Sequence, residues 1–336
     1  MNNNSKFAAV ITTINEPNPG MNQLLEYGKS SSAPVIVVGD TKTPETWSST
    51  EFDYLNIATQ IDLFPEFAEA LPTRHYARKN LGYLRARSTG AEWIYETDDD
   101  NIPTSSPFFP REVRTTAEEF QSSSSWLNVY ECFGYSSVNQ SPDVLWPRGF
   151  DLRSIRNNAS LDKHVEVDAP VQQGLADGDP DVDAIYRLAL GNLVTFNKRE
   201  SIALKKNQIC PTNSQTTWWH SSAQQLMYLP STCTFRLTDI LRGFVAWRIL
   251  QERNETVVFH SPIVRQDRNE HDLLRDFRDE VELYLQSGTL IDDLLQLNLS
   301  GINTSDQLVA CFELLVHSGV VNQSELALLN LWNKHF

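Results

Sequence analysis

Asp98, Asp99 and Asp100 stand side by side, after the apolar stretch Ala91-Glu92-Trp93-Ile94-Tyr95 and before Asn101-Ile102-Pro103. Carboxylates crowded at the end of a strand repel one another at neutral pH. They need a cation or hydrogen-bond donors to be tolerated. A hard divalent ion answers that need, because Mg²⁺ takes one or two carboxylates together with substrate phosphates. The bland alternative is a solvated acidic turn. Other polar groups fall at comparable places. Thr12, Thr13, Asn15 and Glu16 close the first apolar run, where short hydroxyls and amides can bond a base or ribose or simply cap the strand. Asp40, after Gly39, can accept from a ribose or base, and Lys42 adds a donor. Arg78 and Lys79 precede the acidic motif and make sense beside it if a diphosphate lies between them. Arg148 in Trp146-Pro147-Arg148-Gly149 is another cation suited to phosphate, and Arg242 a further one. Asp239 opens a helical stretch, where it complements the helix dipole or, facing a cleft, acts as general base. His260 and the run Asp267 to Asp272, with His271, follow the last apolar run and offer a third metal ligand.

Something must hold these groups together. Short β-branched runs predict buried strands over Phe7 to Ile14, Pro34 to Val38, Asp53 to Ile57 and Trp93 to Thr97. Between them Met21 to Ser30 and Tyr76 to Gly90 read as helices. Alternation of this kind predicts an α/β fold with a mostly parallel, doubly wound sheet. Ligands bind beyond the carboxyl ends of its strands. The clusters at 12–16, 39–42 and 98–101 all fall at such ends. Further on, Trp126 to Tyr130, Asn192 to Asn197 and Val257 to Phe259 read as strands, and Thr238 to Glu252 as a helix. From Asp272 onward the pattern is helical, with breaks expected near Ser287-Gly288 and Ser300 to Thr304. The division expected is 1–271 as the α/β domain and 272–336 as a C-terminal helical extension.

The chain has 336 residues and a formal net charge of −15. That argues against non-specific nucleic-acid binding, which needs a basic face. It leaves room for a local basic pocket. No apolar run is long enough for a transmembrane helix, and the polar start, Met1 to Lys6, predicts a cytoplasmic protein. Cys132, Cys210, Cys233 and Cys311 show no zinc-site spacing and read as buried reduced thiols.

Taken in order, several motifs resemble the STELLO-type glycosyltransferase family. They are Ala9-Val10-Ile11-Thr12-Thr13-Ile14 with Glu16-Pro17, Val37-Val38-Gly39-Asp40 with Lys42-Thr43-Pro44, Arg78-Lys79-Asn80-Leu81-Gly82-Tyr83, and Glu96-Thr97-Asp98-Asp99-Asp100-Asn101. The likeness continues at Asp179 to Leu188, Asp239-Ile240-Leu241-Arg242-Gly243 and Gln266 to Asp272. It implies a GT-A-like fold and a metal-dependent glycosyltransferase. The implied donor is a nucleotide-diphosphate sugar, with a UDP-sugar foremost, and the acceptor a glycan or glycoconjugate. Under that likeness Asp98 and Asp100 would hold Mn²⁺ or Mg²⁺, with His271 a further ligand. Thr12, Thr13, Asn15, Glu16, Asp40, Lys42, Arg78, Lys79, Asp99, Arg148 and Arg242 would meet the donor, and Asp239 would activate the acceptor. A role in polysaccharide or glycoconjugate synthesis follows as an expectation. Two other readings stand beside it: a nucleotide-sugar mutase that interconverts pyranose and furanose rings, and a non-catalytic scaffold.

Overall fold

The structure is a computed structural model that describes residues 6–44, 47, 51–137, 144–267 and 272–336. It is mixed α/β, built on one large sheet with helices packed against it. The N-terminal third supplies β1 (Phe7–Thr12), β2 (Val35–Val38), β3 (Asp53–Leu55) and β4 (Trp93–Thr97). These lie parallel in the order β3-β2-β1-β4, as the alternating pattern predicted. Their side chains alternate between two cores. Ala8, Val10, Ile36, Val38 and Ile94 face one, whereas Phe7, Ala9, Ile11, Val35, Val37, Trp93 and Tyr95 face the other. A strand buried on both faces reads as a continuous apolar run, which is why β1, β2 and β4 were legible.

The connecting helices are α1 (Pro19–Ser31), α2 (Ile57–Leu63), α3 (Pro65–Ala70) and α4 (Lys79–Ser88). A tight 3-10 turn over Tyr76–Arg78 leads into α4. Gly82 lets α4 lie directly on the sheet: a Cβ there would sit 2.6 Å from both Val10 Cγ1 and Val38 Cγ2.

Beyond β4 the pairing becomes mixed. The remaining strands are β5 (Asn101–Pro103), β6 (Arg114–Ser122), β7 (Tyr135–Ser137), β8 (Ala159–Asp168), β9 (Val171–Gly178), β10 (Val194–Phe196), β11 (Ile202–Ala203), β12 (Thr216–His220) and β13 (Val257–Gln266). The sheet continues β4-β12-β9-β13-β11-β6-β8, with β12 antiparallel to both of its neighbours. The strand expected at Trp126 to Tyr130 is absent. Trp126 makes only an isolated bridge to Ile209, and α5 (Val129–Phe133) takes the rest.

α6 (Ala184–Ala189) precedes β10, and α7 (Thr238–Glu252) is buried along nearly its whole length. The helices α8 (Leu273–Asp279), α9 (Val281–Gln296), α10 (Thr304–His317) and α11 (Glu325–Asn333) follow. α9 runs through Ser287-Gly288 without the expected break: both residues are buried, and Gly288 packs against Arg153 and Asp151. Leu294, Phe312 and Trp332 of these helices belong to the same apolar cluster as Val10 and Leu241. Among the described residues no helix is long and apolar enough to cross a membrane. All four cysteines are free thiols.

Candidate active site

A cleft of about 510 Å³ opens at the carboxyl ends of β1, β2 and β4. The turn after β4 presents all three aspartates to it. Asn18 fixes that turn from two directions. Its Oδ1 accepts from Met21 N at 2.9 Å and caps α1, while its Nδ2 donates to the Asp99 carbonyl at 2.5 Å.

The three carboxylates then diverge. Asp98 Oδ1 accepts from the Tyr76 hydroxyl at 2.5 Å and from Lys79 Nζ at 3.0 Å. Burial pushes Asp98 up to about 6, with Lys79 opposing and Asp100 reinforcing the rise. Asp99 turns to the end of β1: its Oδ2 accepts from Thr13 Oγ1 at 2.6 Å and Asn15 Nδ2 at 3.2 Å. Burial raises Asp99 as well, against those two donors. Asp100 Oδ2 accepts from Gln266 Nε2 at 3.1 Å, and its Oδ1 is buried with no hydrogen-bond partner among the described residues. A buried carboxylate oxygen without a donor is expensive unless a cation or ligand meets it.

The strand ends of β1 and β2 are tied together. Thr43 Oγ1 donates to the Thr13 carbonyl at 2.9 Å and accepts from Asp40 N at 2.8 Å. Asp40 Oδ2 accepts from His75 N at 3.1 Å. Thr12, Thr13, Asn15, Asp40 and Lys42 all line the cleft. Glu16 is exposed and is not part of the lining.

The basic residues divide by role. Arg78 lines the cleft but is buried, with Nε on Gln60 Oε1 at 2.7 Å and Nη1 on the Leu71 carbonyl at 3.1 Å. Burial lowers its basicity, and its Nη2 has no hydrogen-bond partner among the described residues. Lys79 is fully buried beneath the motif. Besides Asp98 it donates to the Thr97 carbonyl at 2.7 Å and the Tyr76 hydroxyl at 2.8 Å. It therefore neutralises the motif from below and does not reach into the cleft. Arg242 lies in the core, where Nη1 and Nη2 pair with the two Glu96 oxygens at 2.8 Å each. Trp219 Nε1 and the Tyr83 hydroxyl also donate to Glu96. Arg242, expected at the donor, is thus a core ion pair.

Arg148 reaches the cleft but spends its donors on protein groups. It pairs with Asp181 through Nε at 2.9 Å and Nη2 at 2.7 Å, and with Asp239 through Nη1 and Nη2 at 3.0 Å each. Nη1 also meets the Arg236 carbonyl. Asp239 Oδ2 further accepts from Ser214 N at 3.3 Å, with Ser214 Oγ 3.2 Å away. Asp239 lines the cleft as a fixed, fully bonded carboxylate, and Arg148 is its clamp.

His271 and its neighbours Arg268, Asn269 and Glu270 lie outside the described residues. His260 does not line the cleft. It is buried among Ser201, Gln172 and Arg111, and burial with the Arg111 charge lowers its pKa well below the usual histidine range. Glu118, His164 and Glu200 also approach one another, on β6, β8 and the segment before β11. Glu118 is ion-paired to Arg199, however, so a cation already occupies that group.

Sequence reading missed Tyr76, Ser214, Phe235, Arg236 and Gln266 as lining residues. Tyr76 passed as the start of a helix. Ser214 arrives from just before β12 and Gln266 from the end of β13, strands whose antiparallel and bulged pairings give no short-range signal.

Comparison with known proteins places the chain beside glycosyltransferases as a class. Within that class the likeness is to the STELLO type, as the ordered motifs indicated. The family model described as STELLO glycosyltransferases matches residues 236–335. The Arabidopsis thaliana protein named probable glycosyltransferase STELLO2 is 28% identical over 283 residues, covering 78% of this chain and 36% of that protein. STELLO1 of the same plant is 29% identical over 283 residues, covering 78% and 35%. The chain therefore spans about a third of the length of these relatives. Among solved structures, the catalytic domain of Drosophila β1,4-galactosyltransferase 7 in complex with xylobiose covers 82% of this chain and 80% of its own. With a TM-score of 0.32 and 8% identity, that likeness is too distant to carry an argument.

Proposed function

We propose that the chain is a GT-A-like, metal-dependent glycosyltransferase that uses a nucleotide-diphosphate sugar, a UDP-sugar foremost, in polysaccharide or glycoconjugate synthesis. The observation that carries this is the acidic turn after β4. Three carboxylates line one cleft, a single lysine lies beneath them, and Asp100 Oδ1 is buried without a donor among the described residues. That donor set is all oxygen, which suits Mg²⁺ or Mn²⁺. Asp98 and Asp100 are the pair assigned to the ion: Asp100 Oδ1 has no hydrogen-bond partner among the described residues, and the family resemblance pairs it with Asp98. When bound, the ion would offset charge on the diphosphate as the sugar departs.

The rest belongs to the chain's own groups. Thr12, Thr13, Asn15, Asp40 and Lys42 form the wall for the nucleoside, and Arg78 Nη2 is a buried donor for a phosphate oxygen. Asp239 is the carboxylate for the acceptor hydroxyl, held in place by Arg148. The likeness to proteins named glycosyltransferases supports the same reading.

Binding of Mn²⁺ and UDP, followed by calorimetry and by thermal shift, tests it. Wild type should gain stability from the two together and lose the gain with EDTA. Asp100→Asn should lower Mn²⁺ affinity at least about tenfold, the effect of a lost charged ligand. Unchanged affinity in Asp98→Asn and Asp100→Asn would remove the metal role.

A further inference from the structure

Tyr76 occupies a junction. Its hydroxyl donates to Asp98 Oδ1 at 2.5 Å, accepts from Lys79 Nζ at 2.8 Å, and lies 2.6 Å from Ser214 Oγ. With the Tyr76 proton directed at Asp98, Ser214 Oγ–H is the donor of the 2.6 Å contact, and Ser214 holds Asp239 through its backbone N, which donates to Oδ2 at 3.3 Å. An unbroken hydrogen-bond path thus runs from the aspartate motif after β4 to the carboxylate at the start of α7. Its two middle members are 138 positions apart in sequence. Ser214 is buried and Tyr76 half-buried, with Phe235 set edge-on to the Tyr76 ring at 5.3 Å. Solvent is thereby kept from one side of the bridge. On the far side Arg148 grips both oxygens of Asp239. Neither Asp98 nor Asp239 touches the other directly. Tyr76 and Ser214 are the link.

We propose that Tyr76 and Ser214 are positioning residues that hold the acceptor carboxylate Asp239 in register with Asp98 at the diphosphate end. This rests on the metal-dependent reading above. Both side chains are neutral, so they add no charge to either end. What they transmit is placement: a shift of Ser214 or Asp239 reaches Asp98 through the Tyr76 hydroxyl. In a rigid network each group's contribution depends on the others, and their effects fail to add.

A double-mutant cycle on Mn²⁺·UDP affinity, measured by calorimetry, tests the bridge without any donor sugar or acceptor. Ser214→Ala should weaken Mn²⁺·UDP binding about three- to tenfold, the range of coupling inside one hydrogen-bond network. In a Tyr76→Phe background the same change should have an effect of less than about 1.5-fold, within the additivity error for uncoupled sites. Asp239→Asn should shift affinity in wild type and lose that effect in Tyr76→Phe. Ser214→Thr, which keeps the hydroxyl, should restore wild-type affinity and shows that loss of fold is not the cause. Equal effects of Ser214→Ala in both backgrounds, or none in either, would overturn the bridge alone. A wild-type chain that binds no Mn²⁺·UDP would overturn the metal-dependent reading and the bridge with it.

Discussion

At the scale of single residues, the cleft is governed by which charges are already spent. Arg148 and Arg242 are both buried against carboxylates, so each is part of the scaffold. Removing one member of such a pair leaves the other charge buried and alone. Arg148→Met should therefore lower the unfolding free energy by about 3–5 kcal/mol, measured by urea unfolding. It should also free Asp239, so that any residual transfer shows a changed pH profile. A second residue-scale consequence concerns Asp183. It caps α6 through Tyr186 N at 2.8 Å, accepts from Trp146 Nε1 at 2.6 Å, and is pushed by burial from 3.8 to about 6. The folded state thus keeps a proton that the unfolded chain releases earlier. Its contribution is complete below about pH 4 and is lost as pH rises to about 6. Asp183→Asn keeps a capping side chain and cannot ionise. The variant should gain about 2–3 kcal/mol relative to wild type between pH 4 and pH 7, read from urea midpoints. A constant difference across that range would show that Asp183 keeps its ordinary carboxylate value.

At the scale of elements, what was readable in the sequence and what was not have one cause. β1, β2 and β4 are buried on both faces, so their apolar runs stood out, and with them the three polar ends that meet in the cleft. The antiparallel pair of β6 and β8 did not stand out, because β8 is largely exposed and its run Ala159–Asp168 is mostly polar. Nor did β12, whose Trp218 and Trp219 point to opposite cores. Ser214 and Gln215 enter the cleft from just before that strand, so their roles depended on a pairing no local pattern announces. Arg78 and Lys79 were singled out by position. Their burial depends on how α4 packs, which sequence spacing does not report. The packing itself is testable. Gly82→Ala should cost about 1–3 kcal/mol, because the added methyl must displace Val10 and Val38 from their rotamers. Urea unfolding with an unchanged m-value would confirm that only the native state is affected.

At the scale of the whole molecule, the C-terminal helices hold the cleft's far wall. Glu325, at the start of α11, is buried and accepts from the Tyr228 hydroxyl, from Ser231 N at 3.0 Å and from Thr232 N at 2.8 Å. Glu280 pairs with Arg236 and accepts from Ala184 N at 2.9 Å. Together they fix the segment 228–237 that carries Phe235 and Arg236 to the cleft. Deleting residues 321–336 should therefore abolish the Mn²⁺·UDP thermal shift and increase binding of an apolar dye. A truncated chain that kept both ligand response and cooperative unfolding would show instead that the helices are separable. The Glu325 clamp also has a consequence in time. The aspartate turn leaves the ribosome more than two hundred residues before its opposite wall can be fastened. Until Glu325 emerges, the Ser231 and Thr232 N–H groups lack the acceptor that fixes segment 228–237. The nascent chain thus carries an open, acidic half-cleft until Glu325 has emerged, and acquires a complete one only then.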